Sequence, residues 1–282
     1  MKATDEPDTP LAQINSCSNL SDDGQFMLAA LDPASLEKCL SSDHFEDARE
    51  CRFTTETYLG IIGEIDLMNE ENAKSTIICT ENGPYVVFGL DDLRDPNGKS
   101  IPTKPKVALC RCGGSSTKPF CDGTHAKIGF DDTKKPDRVP NRRKTYTGKN
   151  IAIHDNRGLC AHAGLCTDSL SVVWRMHQSP WIDPDAADAI AIIDTIRKCP
   201  SGALSYSVTG DQQREPNRIS AIQATKDGPY RVTGGVALDG QEWGDGASRE
   251  HYTLCRCGAS KNKPFCDGTH WDIGFRDDGP SG

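Results

Sequence analysis

Cys110, Cys112, Cys121 and His125 recur as Cys255, Cys257, Cys266 and His270, with the same spacing in both copies. Cysteines two apart project from one tight loop, so a single centre can take both thiolates. Cys121 and His125 are four apart, which places them one turn apart on one face if Asp122-Gly123 opens a helix. Three thiolates and an imidazole form a legitimate metal-ligand set, and structural zinc is one candidate for it. Generic zinc sites, however, favour cysteine pairs with two to four residues between them. The alternative of inert buried thiols beside a surface histidine does not account for two gap-free copies. A third group, Cys160, Cys166 and Cys199, lies between the copies. Its Cys160-Ala-His-Ala-Gly-Leu-Cys166 run has the outer spacing of a ferredoxin C-x₂-C-x₂-C segment, with Ala163 at the middle position. A later Cys199-Pro200 completes it, and His162 lies one residue from the vacant place.

The elements that position these groups come from an internal duplication. Residues 75–130 match 220–275 without a gap, 26 of 56 positions being identical. Strands are predicted over Ile77–Thr80 and Tyr85–Phe88 around Asn82-Gly83-Pro84, and over Ile219–Thr225 and Tyr230–Thr233 around Asp227-Gly228-Pro229. Each copy then carries a ligand loop and one helical turn, with Asp122 and Asp267 as caps whose helix would favour an anionic centre. The intervening segment has alternating apolar residues at Ile151 and Ile153. It also has a helix with Asp183 as N-cap and Pro184 at its first position, burying Ile190, Ile193 and Ile196, and a strand over 203–208.

The strings Cys110–His125 and Cys255–His270 resemble the signature of the CDGSH iron–sulfur (NEET) family, with Thr124 and Thr269 where the family name has serine. That resemblance implies a [2Fe–2S] cluster in each copy, held by Cys110, Cys112, Cys121 and His125 and by Cys255, Cys257, Cys266 and His270. The segment around Cys160, Cys166 and Cys199 resembles the divergent mono-cluster ferredoxin domain that accompanies CDGSH modules in some bacterial proteins. Three thiolates favour a [3Fe–4S] cluster there, and a [4Fe–4S] cluster with His162 as fourth ligand is the alternative. Replacing a thiolate by neutral imidazole removes negative charge and raises a reduction potential, as two-histidine Rieske centres show. It also makes ligation sensitive to acid, which should labilise His125 and His270 first.

The expected architecture is α+β. Small β-rich modules with short cluster-binding helices make up two CDGSH-type modules that flank a ferredoxin-like domain. The boundaries are an acidic N-terminal segment over 1–74, a first CDGSH domain over 75–133 and a basic linker over 134–145. The ferredoxin-like domain follows over 146–210 and the second CDGSH domain over 211–282. Residues 1–74 carry helical patterns around Phe26–Leu31 and from Asp32-Pro33 to Leu40, and an apolar stretch over Tyr58–Met68 able to add a strand. No role follows for this segment beyond an acidic cover or docking piece. The two copies are expected to pair within one chain as a monomeric pseudo-dimer, or the chain to form a homodimer. Cys79 reads as core, while Cys17, Cys39 and Cys51 read as ordinary thiols. His154 and His177 read as surface or satisfied core residues.

Composition narrows the function. Of 282 residues only 36% are hydrophobic, while Gly and Pro number 26 and 17, so small loop-rich modules are stabilised by something other than a large core. Thirteen cysteines, an odd count without a secretory leader, argue for ligands in a reducing compartment over disulfides. A net charge of −9 speaks against nucleic acid, and no apolar run suggests a membrane. The basic run from Lys134 to Lys149 reads as a solvated linker, or as a patch for an acidic partner or for the N-terminal segment. No dinucleotide fingerprint, P-loop or nucleophile set is found, so no enzyme is expected. Electron transfer between external partners, a reductase and an acceptor, is the leading expectation. Cluster or iron transfer to an apo iron–sulfur protein, or redox and pH sensing, is the alternative, and a zinc-based structural module is the third. The protein is expected to be bacterial and cytoplasmic.

Overall fold

The computed structural model describes residues 75–208, 211–212 and 215–277, so the expectations for 1–74 and for Cys17, Cys39 and Cys51 lie outside the described residues. The first copy forms β1 (Thr76–Cys79), β2 (Tyr85–Phe88), β3 (Leu93–Arg94), β4 (Ser100–Ile101), β5 (Lys106–Leu109) and the single turn α1 (Thr124–Lys127). The intervening segment forms β6 (Arg143–Thr147), β7 (Ala152–Asn156), a 3₁₀ turn (Arg157–Leu159), α2 (Leu165–Ser169), α3 (Ala189–Arg197), β8 (Leu204–Val208) and β9 (Asp211–Gln212). The second copy forms β10 (Ala221–Ala224), β11 (Tyr230–Thr233), β12 (Ala237–Asp239), β13 (Tyr252–Leu254) and α4 (Thr269–Asp272).

The two copies exchange strands. β1 pairs antiparallel with β2, as the turn between them requires, but its other edge is covered by β12 of the second copy in parallel register, Ile77 against Leu238. The reciprocal pairing sets β3 of the first copy beside β10 of the second, Ile222 against Leu93. The sheets therefore run β12-β1-β2-β5 and β13-β11-β10-β3-β4, each assembled from both halves of the sequence. Parallel partners need a long crossover, and here the crossover includes the whole intervening segment. One shared core results: Ile77, Tyr85, Val87 and Leu93 pack with Ile222, Tyr230, Val232 and Leu238, all eight buried. At its centre Tyr85 and Tyr230 meet edge to face, ring centroids 6.0 Å apart.

The insert has its own four-stranded antiparallel sheet, β6-β7-β8-β9, and its own core around Ile153, Trp174, Ile182, Ile192, Ile196 and Tyr206. Two expectations need correction here. Its helix begins at Asp188, whose carboxylate accepts from the Ala191 amide at 3.0 Å, and not at Asp183-Pro184. It buries Ile192 and Ile196, one helical turn apart, whereas Ile190 is 72% exposed. Replacing Ile192 with alanine should cost about 2–5 kcal/mol in denaturant unfolding, against roughly 0.5 kcal/mol or less for Ile190→Ala. Equal losses would mean the wrong face has been assigned to the core. The supposed linker over 134–145 is also not free. Arg143 and Lys144 already belong to β6, and the Lys135 amide donates to the Lys261 carbonyl of the second copy.

Candidate metal centres

In the first copy β5 ends at Leu109 and delivers Cys110 and Cys112 on a turn, with Gly113 at φ +79°. Their Sγ atoms are 3.9 Å apart, and those of Cys255 and Cys257 are 3.8 Å apart. Two thiolates about 2.3 Å from one tetrahedral metal would sit about 3.8 Å apart. Cys121 Sγ lies 3.3 Å from His125 Nδ1, and Cys266 Sγ lies 3.4 Å from His270 Nδ1, within a few tenths of an ångström of a shared-metal separation. The donors therefore come as two pairs per site. Among the described residues the one trio whose ligand atoms all fall within 4.8 Å of each other is Glu215, Glu250 and His251, not any cysteine–histidine set. A pair of thiolates and a thiolate–imidazole pair suit a two-metal centre better than a single tetrahedral ion.

The short helices carry the histidines as the spacing predicts, but the capping differs. Gly123 and Gly268 occupy the N-cap positions. Asp122 accepts instead from the Thr124 amide at 3.0 Å and the Ser116 amide at 2.8 Å, tying the ligand loop to the helix. Asp267 does the same with Thr269 at 3.0 Å and Lys261 at 2.8 Å. Those hydrogen bonds hold the Asp122 carboxyl well below the usual range. Backbone amides aimed at sulfur, those of Ser115 and Gly113 on Cys110, favour the thiolate form. Burial works against it: the Cys110 and Cys266 thiols are pushed up chiefly by desolvation. These buried sulfurs need a cationic centre to carry negative charge, and binding it releases their protons.

Residues that spacing alone does not single out join the two sites. The Tyr85 hydroxyl donates across the molecule to the Cys255 carbonyl at 2.9 Å and the Pro264 carbonyl at 3.0 Å. Tyr230 returns the contact to Cys110 at 3.0 Å and Pro119 at 2.9 Å. Arg111 and Arg256 lie over Tyr85 and Tyr230, and pair with Asp132 and Asp277. The signal for all of them is identity at matched positions of the duplication. Gly113 and Gly258 touch the opposite copy directly, since a Cβ on either would meet the Cys257 or Cys112 carbonyl at 2.6 or 2.4 Å.

Cys160, Cys166 and Cys199 converge on one small pocket, lined also by Arg157, Ala161, Ala163, Leu165, Pro200 and Leu204. Burial raises the Cys160 thiol and pushes Cys166 up to about 11. His162 does not line this pocket. Its amide donates to Cys160 Sγ at 3.4 Å, and its ring lies instead against Gly268 of the second copy. His154 is a satisfied core residue, bonded to Thr145 at 2.9 Å and Ser207 at 3.1 Å, and His177 is exposed. Cys79 is half-buried against the core, its thiol raised to about 11 by desolvation.

Residues 82–126 and 227–271 match the family described as iron-binding zinc finger, CDGSH type, and 146–209 match the family described as divergent 4Fe-4S mono-cluster. The chain belongs to the CDGSH iron–sulfur family. Its two CDGSH modules and its mono-cluster insert make it an iron–sulfur protein. The uncharacterized protein YjdI of Escherichia coli K12 is 36% identical over 63 residues, 22% of this chain and 83% of YjdI. YjdI of E. coli O157:H7 aligns equally. No solved structure matches. No helix among the described residues is long and apolar enough to cross a membrane.

Proposed function

We propose that this CDGSH protein carries electrons between an external reductase and an external acceptor in a bacterial cytoplasm. It would hold a [2Fe–2S] cluster in each CDGSH module and a [3Fe–4S] cluster in the insert. Such clusters, when bound, supply one-electron redox chemistry. The observation that carries the reading is the contiguity of the three ligand sets. Gly113 and Gly258 set the two CDGSH loops backbone to backbone, and His162 joins the loop of Cys160 to that of Cys266. The chain's own residues hold this geometry through the crossed tyrosines, and they exclude water from the CDGSH sites by burying Cys110, Cys112, Cys255 and Cys266. Paired donors support two irons per CDGSH site over one zinc. Three pocket thiols with His162 turned elsewhere support three irons in the insert, and the mono-cluster family's description keeps [4Fe–4S] as the alternative. The strand exchange supports a monomeric pseudo-dimer.

Anaerobic isolation with iron and sulfide counting, followed by reductive titration watched by electron paramagnetic resonance, tests this. About seven irons per chain, or about eight for a four-iron insert, and reversible reduction with the clusters retained are expected. A colourless zinc protein, or clusters that never accept electrons, would sink it. The second reading, transfer of clusters to an apo iron–sulfur protein, is favoured by one observation: Cys121 and His125 are only half-buried. Transfer to an apo-ferredoxin faster than electron exchange would select it.

A further inference from the structure

The two CDGSH modules are copies in sequence but not in surroundings. Around the second, the segment preceding β6 closes in: the Lys135 amide donates to the Lys261 carbonyl at 2.8 Å, and Lys261 Nζ meets Asp137 at 2.5 Å. Arg138 Nε donates to Asn262 Oδ1 at 3.2 Å, and Asn262 Nδ2 donates to the Gly158 carbonyl at 2.8 Å. From the insert, His162 presses on Gly268, where a Cβ would fall 2.8 Å from its Cδ2. Cys266 and His270 are consequently 2% and 3% exposed. Among the described residues the first module has none of these covers. Its counterpart of Asn262 is Thr117, which is exposed, and a Cβ on Gly123 would meet nothing within 4 Å. His125 instead borders an open groove with Asn82, Phe130 and Asp131.

We infer that the two CDGSH sites are inequivalent, the first an open exchange port and the second a sealed internal site, with Asn262 and His162 as the residues that seal it. His162 is thereby a positioning residue for the second module, not a ligand of the middle centre. The inference rests on the reading that both modules hold [2Fe–2S] clusters. It extends that reading by giving the two clusters different accessibility to solvent, chelator and partner.

Iron release from the replete full-length chain into an excess of a ferrous chelator, under reducing conditions at fixed pH, tests it. Paramagnetic resonance of the reduced CDGSH clusters, in samples frozen along the course, follows them apart from a three-iron middle centre, while visible absorbance records all the clusters together. The wild type should lose its two CDGSH clusters in two phases of equal amplitude, the slower by about tenfold, because release there requires local opening. His125→Cys should remove the fast phase and His270→Cys the slow one. Asn262→Thr, which installs the residue of the first copy, and His162→Ala should each accelerate the slow phase alone. These two need no cluster-ligand change, so they decide the matter even if the cysteine variants fail to assemble. A single phase in the wild type, a fast phase belonging to His270, or phases indifferent to Asn262→Thr and His162→Ala would overturn the inference while leaving the cluster reading intact. A protein without iron and sulfide would overturn both.

Discussion

Replacing Arg256 with leucine is expected to lower the unfolding free energy by about 3–5 kcal/mol, the range for removing one member of a buried, hydrogen-bonded ion pair. The Arg256 side chain is fully buried, and its paired Asp277 carboxylate is 7% exposed. Its Nε donates to the Gly228 carbonyl at 2.9 Å and its Nη2 to the Thr225 carbonyl at 2.5 Å, and its plane lies over Tyr230 and Phe275. Leucine fills part of the volume but takes a charged donor away from the Asp277 carboxylate and from the Gly228 and Thr225 carbonyls, and each weakened buried polar group carries a desolvation cost. Arg111→Leu should cost less. Asp132 is 21% exposed, and Arg111 Nε has no hydrogen-bond partner to lose. Denaturant unfolding followed by far-ultraviolet circular dichroism makes the comparison. A loss of under about 1 kcal/mol for Arg256→Leu would show that the guanidinium does not anchor the turn between β10 and β11 to the ligand loop.

Gly258→Ala is expected to damage both CDGSH sites although it alters one. An alanine at φ +80° pays about 1–2 kcal/mol for its backbone conformation alone. Its Cβ would also sit 2.4 Å from the Cys112 carbonyl oxygen, a backbone atom that cannot swing aside as a side chain can. Relief requires the two ligand loops to separate, so the crossed hydrogen bonds of Tyr85 and Tyr230 lengthen with them. A combined loss of about 3 kcal/mol or more is expected, with broadened visible spectra from both modules. Gly123→Ala is the matched control. It sits at φ +85° but faces open space, so it should show the conformational cost only. If Gly258→Ala proved no worse than Gly123→Ala, the contact between the ligand loops would carry no energy. Gly113→Ala, 2.6 Å from the Cys257 carbonyl, should repeat the effect from the other side.

Much of the candidate chemistry is legible in the amino-acid sequence, because ligand spacing and duplication are written in residue order alone. The strands around the two Gly-Pro-Tyr turns are legible for the same reason, with boundaries within about two residues. What is not legible depends on partners far away along the chain. β3 is two residues long, and between Leu90 and Lys106 the copies share only Leu93 with Leu238. No periodicity survives there to announce a strand, and its hydrogen-bonding partner lies in the other copy. The start of the insert's helix is ambiguous in sequence because Asp183 and Asp188 are equally good caps. Which isoleucines face inward depends on the rest of the insert's core, where Ile192 and Ile196 are buried in one cluster with Trp174 and Tyr206. The unequal covering of the modules leaves a trace in the change from Ser116-Thr117 to Lys261-Asn262, inside loops that otherwise differ only at Gly114 and Ala259. That trace becomes meaningful only once the Gly158 carbonyl is found beside Asn262.

The reciprocal pairing of β1 with β12 and of β3 with β10 has a consequence for how the chain is made. A ribosome releases the Cys110–His125 loop long before it reaches Ala237, so the first module emerges with one edge of β1 uncovered. Tyr85 at that stage has no carbonyl to receive its proton, because Cys255 and Pro264 do not yet exist as folded chain. Contacts separated by some 160 residues close late and slowly, since loop entropy must be met before they form. The first ligand set thus matures only after the last has been synthesised. Until then its thiols and its strand edge are open to oxidation and to mispairing with other chains. Truncation after the insert, which preserves every residue of the first module, would therefore be expected to yield an aggregation-prone fragment, not a smaller working protein.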